Sequence, residues 1–162
     1  MKKILLIGLV LLVAVLASGC ASTTYLVERD KWPAFNTIVV ENVKVAEGVD
    51  MPADAVAELN ELLFAKIKED LGDKYRVVRN IKNSDDKNAI RLSFNIVSWW
   101  DPIYPFIRPW GIDIEITGRI YEKEMFKRSS SLTVGLIYSR SYFLNGSVKW
   151  ASRRIKRALI DE

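Results

Sequence analysis

Two carboxylates are the best candidates for catalytic chemistry in this chain of 162 residues. Asp113 and Glu115 lie two positions apart on a predicted strand, so their side chains share one face and their Cα atoms are about 6 to 7 Å apart. Such a pair can serve as acid and base in glycan cleavage. A solvated strand face has the same pattern, and we prefer that interpretation.

Most other catalytic chemistry is excluded by composition. The chain has no histidine and one cysteine, Cys20, so histidine-based triads and histidine metal sites cannot form. Neither G-x-x-x-x-G-K nor G-x-G-x-x-G, the glycine-rich phosphate loops, occurs in the sequence. We therefore predict no cofactor, no metal site and no enzymatic activity.

The first twenty residues have the order of a secretory signal. Lys2 and Lys3 precede an uncharged run of fourteen residues from Ile4 to Ala17, and small residues lead to Cys20. The run is too short for a comfortable membrane span. This pattern resembles the lipobox signal of bacterial lipoproteins, which implies cleavage after residue 19 and a lipid on the Cys20 thiol.

The resemblance also carries an expectation about location. Ala21 directly after the cysteine implies sorting to the outer membrane of a Gram-negative cell, with the protein facing the periplasm. In a Gram-positive organism the same signal would imply the outer face of the plasma membrane. Nucleic acid is an implausible partner for an exported protein, although the net charge of the chain is +4.

Residues 1–19 form the predicted signal, and the remaining 143 residues suffice for one domain with its own core. Residues 20–36 show no sustained periodicity, so we expect them to form a tether that could extend about 50 Å. The single domain would then comprise residues 37–162.

The first half of the domain predicts a strand, a helix and a strand. Residues 37–45 are rich in β-branched side chains, and residues 75–80 read as a second short strand. A helix between them opens at Pro52 and stops at Gly72. Its predicted buried stripe is Val56, Leu59, Leu63, Ile67 and Leu71. Such a unit requires a parallel crossover.

The second half predicts three more elements. Residues 90–96 and 112–120 alternate apolar and polar side chains, which indicates a long hairpin with one wet face. A last strand is predicted at residues 132–138. Asn145-Gly146-Ser147 would then cap a terminal helix.

The order β-α-β-β-β-α predicts an α+β two-layer sandwich, a mixed sheet with one face covered by two helices. With Ile38-Val39-Val40 leading into the long helix and Gly146-Ser147-Val148 opening the last one, it resembles a group of small envelope lipoproteins. These contain the domain of the TolB amino-terminal region, the curli-secretion lipoprotein and the penicillin-binding-protein activators. The resemblance implies an accessory or assembly role through protein contacts.

An aromatic, proline-containing segment from Trp99 to Trp110 forms the predicted hairpin loop. Its candidate partner-binding side chains are Trp99, Trp100, Tyr104, Phe106 and Trp110. The rings could anchor an envelope protein, fold back to cap the sheet, or lie at lipid headgroups.

The terminal helix carries a predicted basic face formed by Lys149, Arg153, Lys156 and Arg157, with Arg154 beside them. It could meet anionic lipid or an acidic partner, or be an ordinary solvated face. Our interpretation is a lipid-anchored, non-enzymatic binding or assembly module. A carrier of an apolar ligand is the alternative, and a glycan-acting enzyme comes third.

Overall fold

A computed structural model describes residues 23–79, 88–100, 110–134 and 139–160 of the chain. Its elements, in chain order, are β1 (Thr23–Tyr25), a 3-10 turn (Arg29–Lys31), β2 (Thr37–Val40), β3 (Lys44–Val45), α1 (Ala53–Leu71), β4 (Arg76–Arg79), β5 (Ala89–Trp100), β6 (Trp110–Ile120), β7 (Lys123–Val134) and α2 (Arg140–Leu159). The predicted signal, Cys20, Tyr104 and Phe106 lie outside the described residues.

The strands form one mixed sheet in the order β1-β7-β6-β5-β2-β4, and β3 pairs with β5. Strand β2 is parallel to β4 and to β5, while β5, β6, β7 and β1 are antiparallel to one another where they pair. Helix α1 lies between β2 and its parallel neighbour β4 in the chain, as the predicted crossover requires. Both helices pack on one sheet face, which confirms the α+β two-layer sandwich.

Helix α1 buries one stripe against the sheet. Its buried side chains are Ala55, Leu59, Leu63, Ile67 and Leu71. Val56, which we predicted in this stripe, is only partly buried because Ala55 takes the inward position in the first turn. The helix ends at Leu71 with Gly72 as its C-cap, and a Cβ added at Gly72 would lie 2.4 Å from the Lys68 carbonyl oxygen. Only glycine fits so close an approach.

Strands β5 and β6 form the predicted long hairpin. Its register shifts between Ile96 and Ser98, a β-bulge that inserts Val97 as an extra residue. Beyond the bulge, Trp99 lies opposite the buried Ile112 and faces the helices. The next residue, Trp100, lies on the outer face.

The last strand, predicted at residues 132–138, begins much earlier, and residues 135–138 lie outside the described part of the chain. Strand β7 begins at Lys123, directly after a turn in which Tyr121 has a φ of 54°. Its inward side mixes apolar and polar residues, among them Phe126, Arg128 and Ser130, so apolar alternation does not reveal it. This strand is held in the sheet by its pairing with β6 and not by a regular hydrophobic pattern.

The predicted start of the terminal helix is wrong. Ser139 is the N-cap of α2, and its hydroxyl accepts a hydrogen bond from the Tyr142 amide at 3.3 Å. Asn145-Gly146-Ser147 therefore lies inside the helix. Ser147 is buried there, and its hydroxyl donates to the Phe143 carbonyl at 2.9 Å, which satisfies its polar group.

The tether prediction needs correction for residues 23–36. Strand β1 pairs with the edge of β7. The Trp32 ring stacks on Phe126 at 5.9 Å, and its Nε1 donates to the Val27 carbonyl at 2.9 Å. Phe35 stacks on Tyr75 at 5.2 Å. This segment belongs to the domain because its rings cover apolar surface at the sheet margin.

Candidate functional site

Three aromatic rings close one end of the core. The Trp99 ring lies 5.8 Å from the Trp110 ring, and both contact Phe143 of α2, at 5.9 and 5.7 Å. Trp99 is 9% exposed. Trp99 and Trp110 thus fold back onto α2 and cap the end of the sheet, which is one of the three arrangements considered from the sequence. Phe143 was missed from the sequence because the helix was predicted to begin after it.

Trp100 has a different environment on the outer face of the sheet. It lies opposite Gly111 and remains 43% exposed. A Cβ at Gly111 would lie 1.9 Å from the Trp100 ring, so glycine lets the indole lie flat on the neighbouring strand. The ring is thereby held in place while much of it faces solvent, which suits an anchor for a partner.

The two carboxylates occupy the same outer face but have different surroundings. Asp113 accepts a hydrogen bond from the Ser98 hydroxyl at 2.5 Å. Glu115 is exposed and lines a small surface depression with Thr117 and Lys127, and Asp113 is not among its lining residues. The pair therefore resembles a solvated strand face more than a glycan-binding groove.

The predicted basic face of α2 is exposed. Lys149, Arg153, Lys156 and Arg157 all face solvent. On an adjoining part of the helix, the Arg154 guanidinium lies 5.1 Å from the centre of the Trp150 ring, and Trp150 is 40% exposed. Exposure allows this face to meet an anionic surface, and that role stays a prediction.

The two helices are joined by a polar contact at Asp70. Its carboxylate accepts from the Ser152 hydroxyl at 2.6 Å and forms an ion pair with Lys66 at 2.9 Å. Partial burial by itself raises the pKa of Asp70. The Ser152 hydrogen bond and the charges of Lys66 and Lys156 outweigh it, so the pKa lies below the usual 3.8.

The described parts of the chain hold no group of three or more histidine, cysteine, aspartate or glutamate side chains that could bind a metal. Neither helix in those parts combines the length and apolarity that crossing a membrane requires.

No protein-family model matches the sequence, and no curated protein matches it. Solved structures do share its fold. A dodecamer of PelC from Paraburkholderia phytofirmans is 13% identical, with a TM-score of 0.59 over 83% of this chain and 97% of that one. An uncharacterized protein is 18% identical, with a TM-score of 0.57 over 78% and 94% of the two chains.

A third similar structure is a protein of the family DUF330 from Xanthomonas campestris. It is 10% identical, with a TM-score of 0.52 over 81% of this chain and 88% of that one. At these identities the similarity establishes the fold, which is found in bacterial proteins.

Proposed function

We propose that this chain is a lipid-anchored, non-enzymatic accessory protein of the bacterial envelope, held at the outer membrane by a lipid on Cys20 and facing the periplasm. The observation that carries the proposal is the position of β1. Thr23, three residues after Cys20, already pairs with Arg128 of the sheet. Three extended residues span about 10 Å, so the anchor would hold the domain directly at the membrane.

The direction of β1 supports an assignment of the sheet end that would lie nearest a Cys20 anchor. Tyr25 lies opposite Phe126, and Thr23 lies opposite Arg128. From Tyr25 to Thr23, β1 therefore runs toward the C-terminal end of β7. The same end carries Trp100 and Trp110. An envelope protein bound at Trp100 would therefore be held close to the membrane surface.

The sheet edge opposite β1 suits a partner less well than Trp100 does. Strand β4 has four residues, and its last one, Arg79, forms an ion pair with Glu61 and lies 4.4 Å from the centre of the Phe64 ring. Short strands with charged ends discourage pairing with another chain. Binding through the Trp100 surface is thus better supported than binding through this edge.

The two alternatives find less support. A carrier of an apolar ligand needs open apolar space, whereas Phe94, Phe126 and Phe143 are at most 1% exposed and fill the layer between sheet and helices. A glycan-acting enzyme needs a groove around both carboxylates, and the depression beside Glu115 does not reach Asp113.

The test is capture of envelope proteins by the lipidated, tagged protein, with Trp100→Ala as the variant. Tyr121→Ala is the matched control, since Tyr121 is also an exposed aromatic residue, just beyond the other end of β6. We expect Trp100→Ala to lose a partner that Tyr121→Ala retains. Equal capture by both variants would contradict the proposed surface.

Self-association is a form of assembly that the same experiment must include, because the similar PelC structure is a dodecamer. Light scattering on the detergent-solubilised protein would show whether the captured partner is a second copy of this chain.

A further inference from the structure

An arginine on β7, Arg128, and an arginine in the C-terminal half of α2, Arg154, carry charges that no described carboxylate neutralises. Arg128 is on the inward side of β7, and its Nη1 donates to the backbone carbonyl of Arg154 at 3.2 Å. The Nε atom of each arginine is buried and has no hydrogen-bond partner. Among the described residues, no aspartate or glutamate forms an ion pair with either.

This arrangement is unfavourable in the free protein. Burial, followed by the positive charge of Arg154 and then that of Arg157, lowers the pKa of Arg128, and Tyr25 opposes this only in part. Burial and then Arg157 lower the pKa of Arg154 in the same way. Like charges at close range repel, and buried donors without acceptors are costly. An anion bound near these guanidinium groups would relieve the repulsion.

Parts of this cluster face solvent, although the two Nε atoms themselves are buried. Arg128 and Arg154 are partly exposed, and Arg157 is exposed. Guanidinium groups bind phosphate oxygens through two parallel hydrogen bonds, so two or three arginines on facing elements suit a phosphate group. The cluster is also close to the proposed anchor, because Arg128 pairs with Thr23, three residues from Cys20.

We propose that Arg128 and Arg154, assisted by Arg157, bind a phosphate group, and that this phosphate belongs to an anionic lipid headgroup of the membrane that holds the Cys20 lipid. The membrane placement rests on the proposed function. The phosphate chemistry does not, because it follows from the three arginines alone.

The experiment uses the processed chain, residues 20–162, with Cys20→Ser, so that no lipid contributes to binding. Every described strand and helix begins at or after Thr23, so this chain retains the whole described fold. One arm measures the melting temperature in inorganic phosphate against chloride at equal ionic strength. The other measures sedimentation with phosphatidylcholine vesicles, with and without phosphatidylglycerol.

The variant is Arg128→Gln with Arg154→Gln, and the matched control is Lys149→Gln with Arg153→Gln, which removes the same charge from the exposed face of α2. We expect phosphate to raise the melting temperature and phosphatidylglycerol to increase sedimentation. At about 1 kcal/mol for each basic residue near an anionic membrane, the arginine variant should lose about thirtyfold in vesicle affinity together with the melting shift, and the control should lose less because its residues lie outside the proposed site. If the double variant does not fold, the single variant Arg154→Gln replaces it in both measurements.

Each other outcome overturns part of the proposal. Equal losses in variant and control would reduce the effect to general attraction between basic surface and anionic lipid. Stabilisation by phosphate without any arginine-dependent vesicle binding would replace the lipid by a soluble phosphate. No response in either arm would remove the site, while leaving the separate test of Cys20 unaffected.

Discussion

Replacement of Trp99 by alanine should destabilise the domain far more than the same replacement of its neighbour Trp100. A tryptophan presents up to about 250 Å², and the two residues are 9% and 43% exposed. Trp99 therefore buries about 85 Å² more surface than Trp100. At about 25 cal/mol per Å², this extra burial stabilises the fold by about 2 kcal/mol. Its packing on Trp110 and Phe143 adds to this difference. We expect a cost of about 3 to 5 kcal/mol for Trp99→Ala and about 1 to 2 kcal/mol for Trp100→Ala.

The measurement is urea unfolding of residues 20–162 with Cys20→Ser, followed by far-ultraviolet circular dichroism because both variants alter fluorescence. An unchanged m-value in both variants would show that the free energies are comparable. The reasoning is refuted if Trp100→Ala costs as much as Trp99→Ala. That result would place Trp100 on the helix side and remove the bulge at Val97.

Three further predictions use the same unfolding assay. Leu63→Ala should cost about 2 to 5 kcal/mol because the side chain is 1% exposed, whereas Asp113→Asn on the outer face should change stability by at most about 0.5 kcal/mol; a reversed ranking would contradict the sandwich. Because folding lowers the pKa of Asp70, the ionised carboxylate stabilises the fold fully above pH 3.8, and this stabilisation is lost as the pH falls below that value. Melting temperatures measured between pH 2 and 7 should fall accordingly at the acid end. In the Asp70→Asn variant that acid-induced fall should be smaller. Ser139→Ala should cost about 1 kcal/mol, because the Ser139 hydroxyl caps the helix. No loss of stability in this variant would favour the later helix start.

Strict periodicity predicted the parts of the fold that bury one regular face. The stripe of α1 and the alternation on β5 and β6 are of this kind, and the hairpin and sandwich follow from them. The bulge was not predictable, because one inserted residue, Val97, leaves no hydrophobic signature and yet exchanges the faces of Trp99 and Trp100.

The differences between prediction and structure at β7 and α2 come from packing and strand pairing. Asn145-Gly146 is typical of a turn, but here Phe143 and Leu144 are buried and draw the preceding turn into the helix. Tertiary packing overrides local propensity in this segment. Strand β7 carries a mixed inward face, so its start at Lys123 shows no alternation.

The candidate site was predicted only in part. The exposed Trp100 and the basic face of α2 follow from residue type and helical spacing. The contact of Arg128 with Arg154 joins residues 26 positions apart on a strand and a helix, and no spacing rule links them. Their lack of a described carboxylate partner is visible only once β7 lies beneath α2.

The most direct test of the central claim is the fate of Cys20→Ser in the full chain, because only the thiol can accept the lipid. Detergent partitioning of cell envelopes, with immunodetection of size, measures lipidation and processing together. We predict that the wild type enters the detergent phase as a shortened form, whereas the variant accumulates as an unprocessed, unlipidated precursor. A variant that still enters the detergent phase as the shortened form would contradict the account.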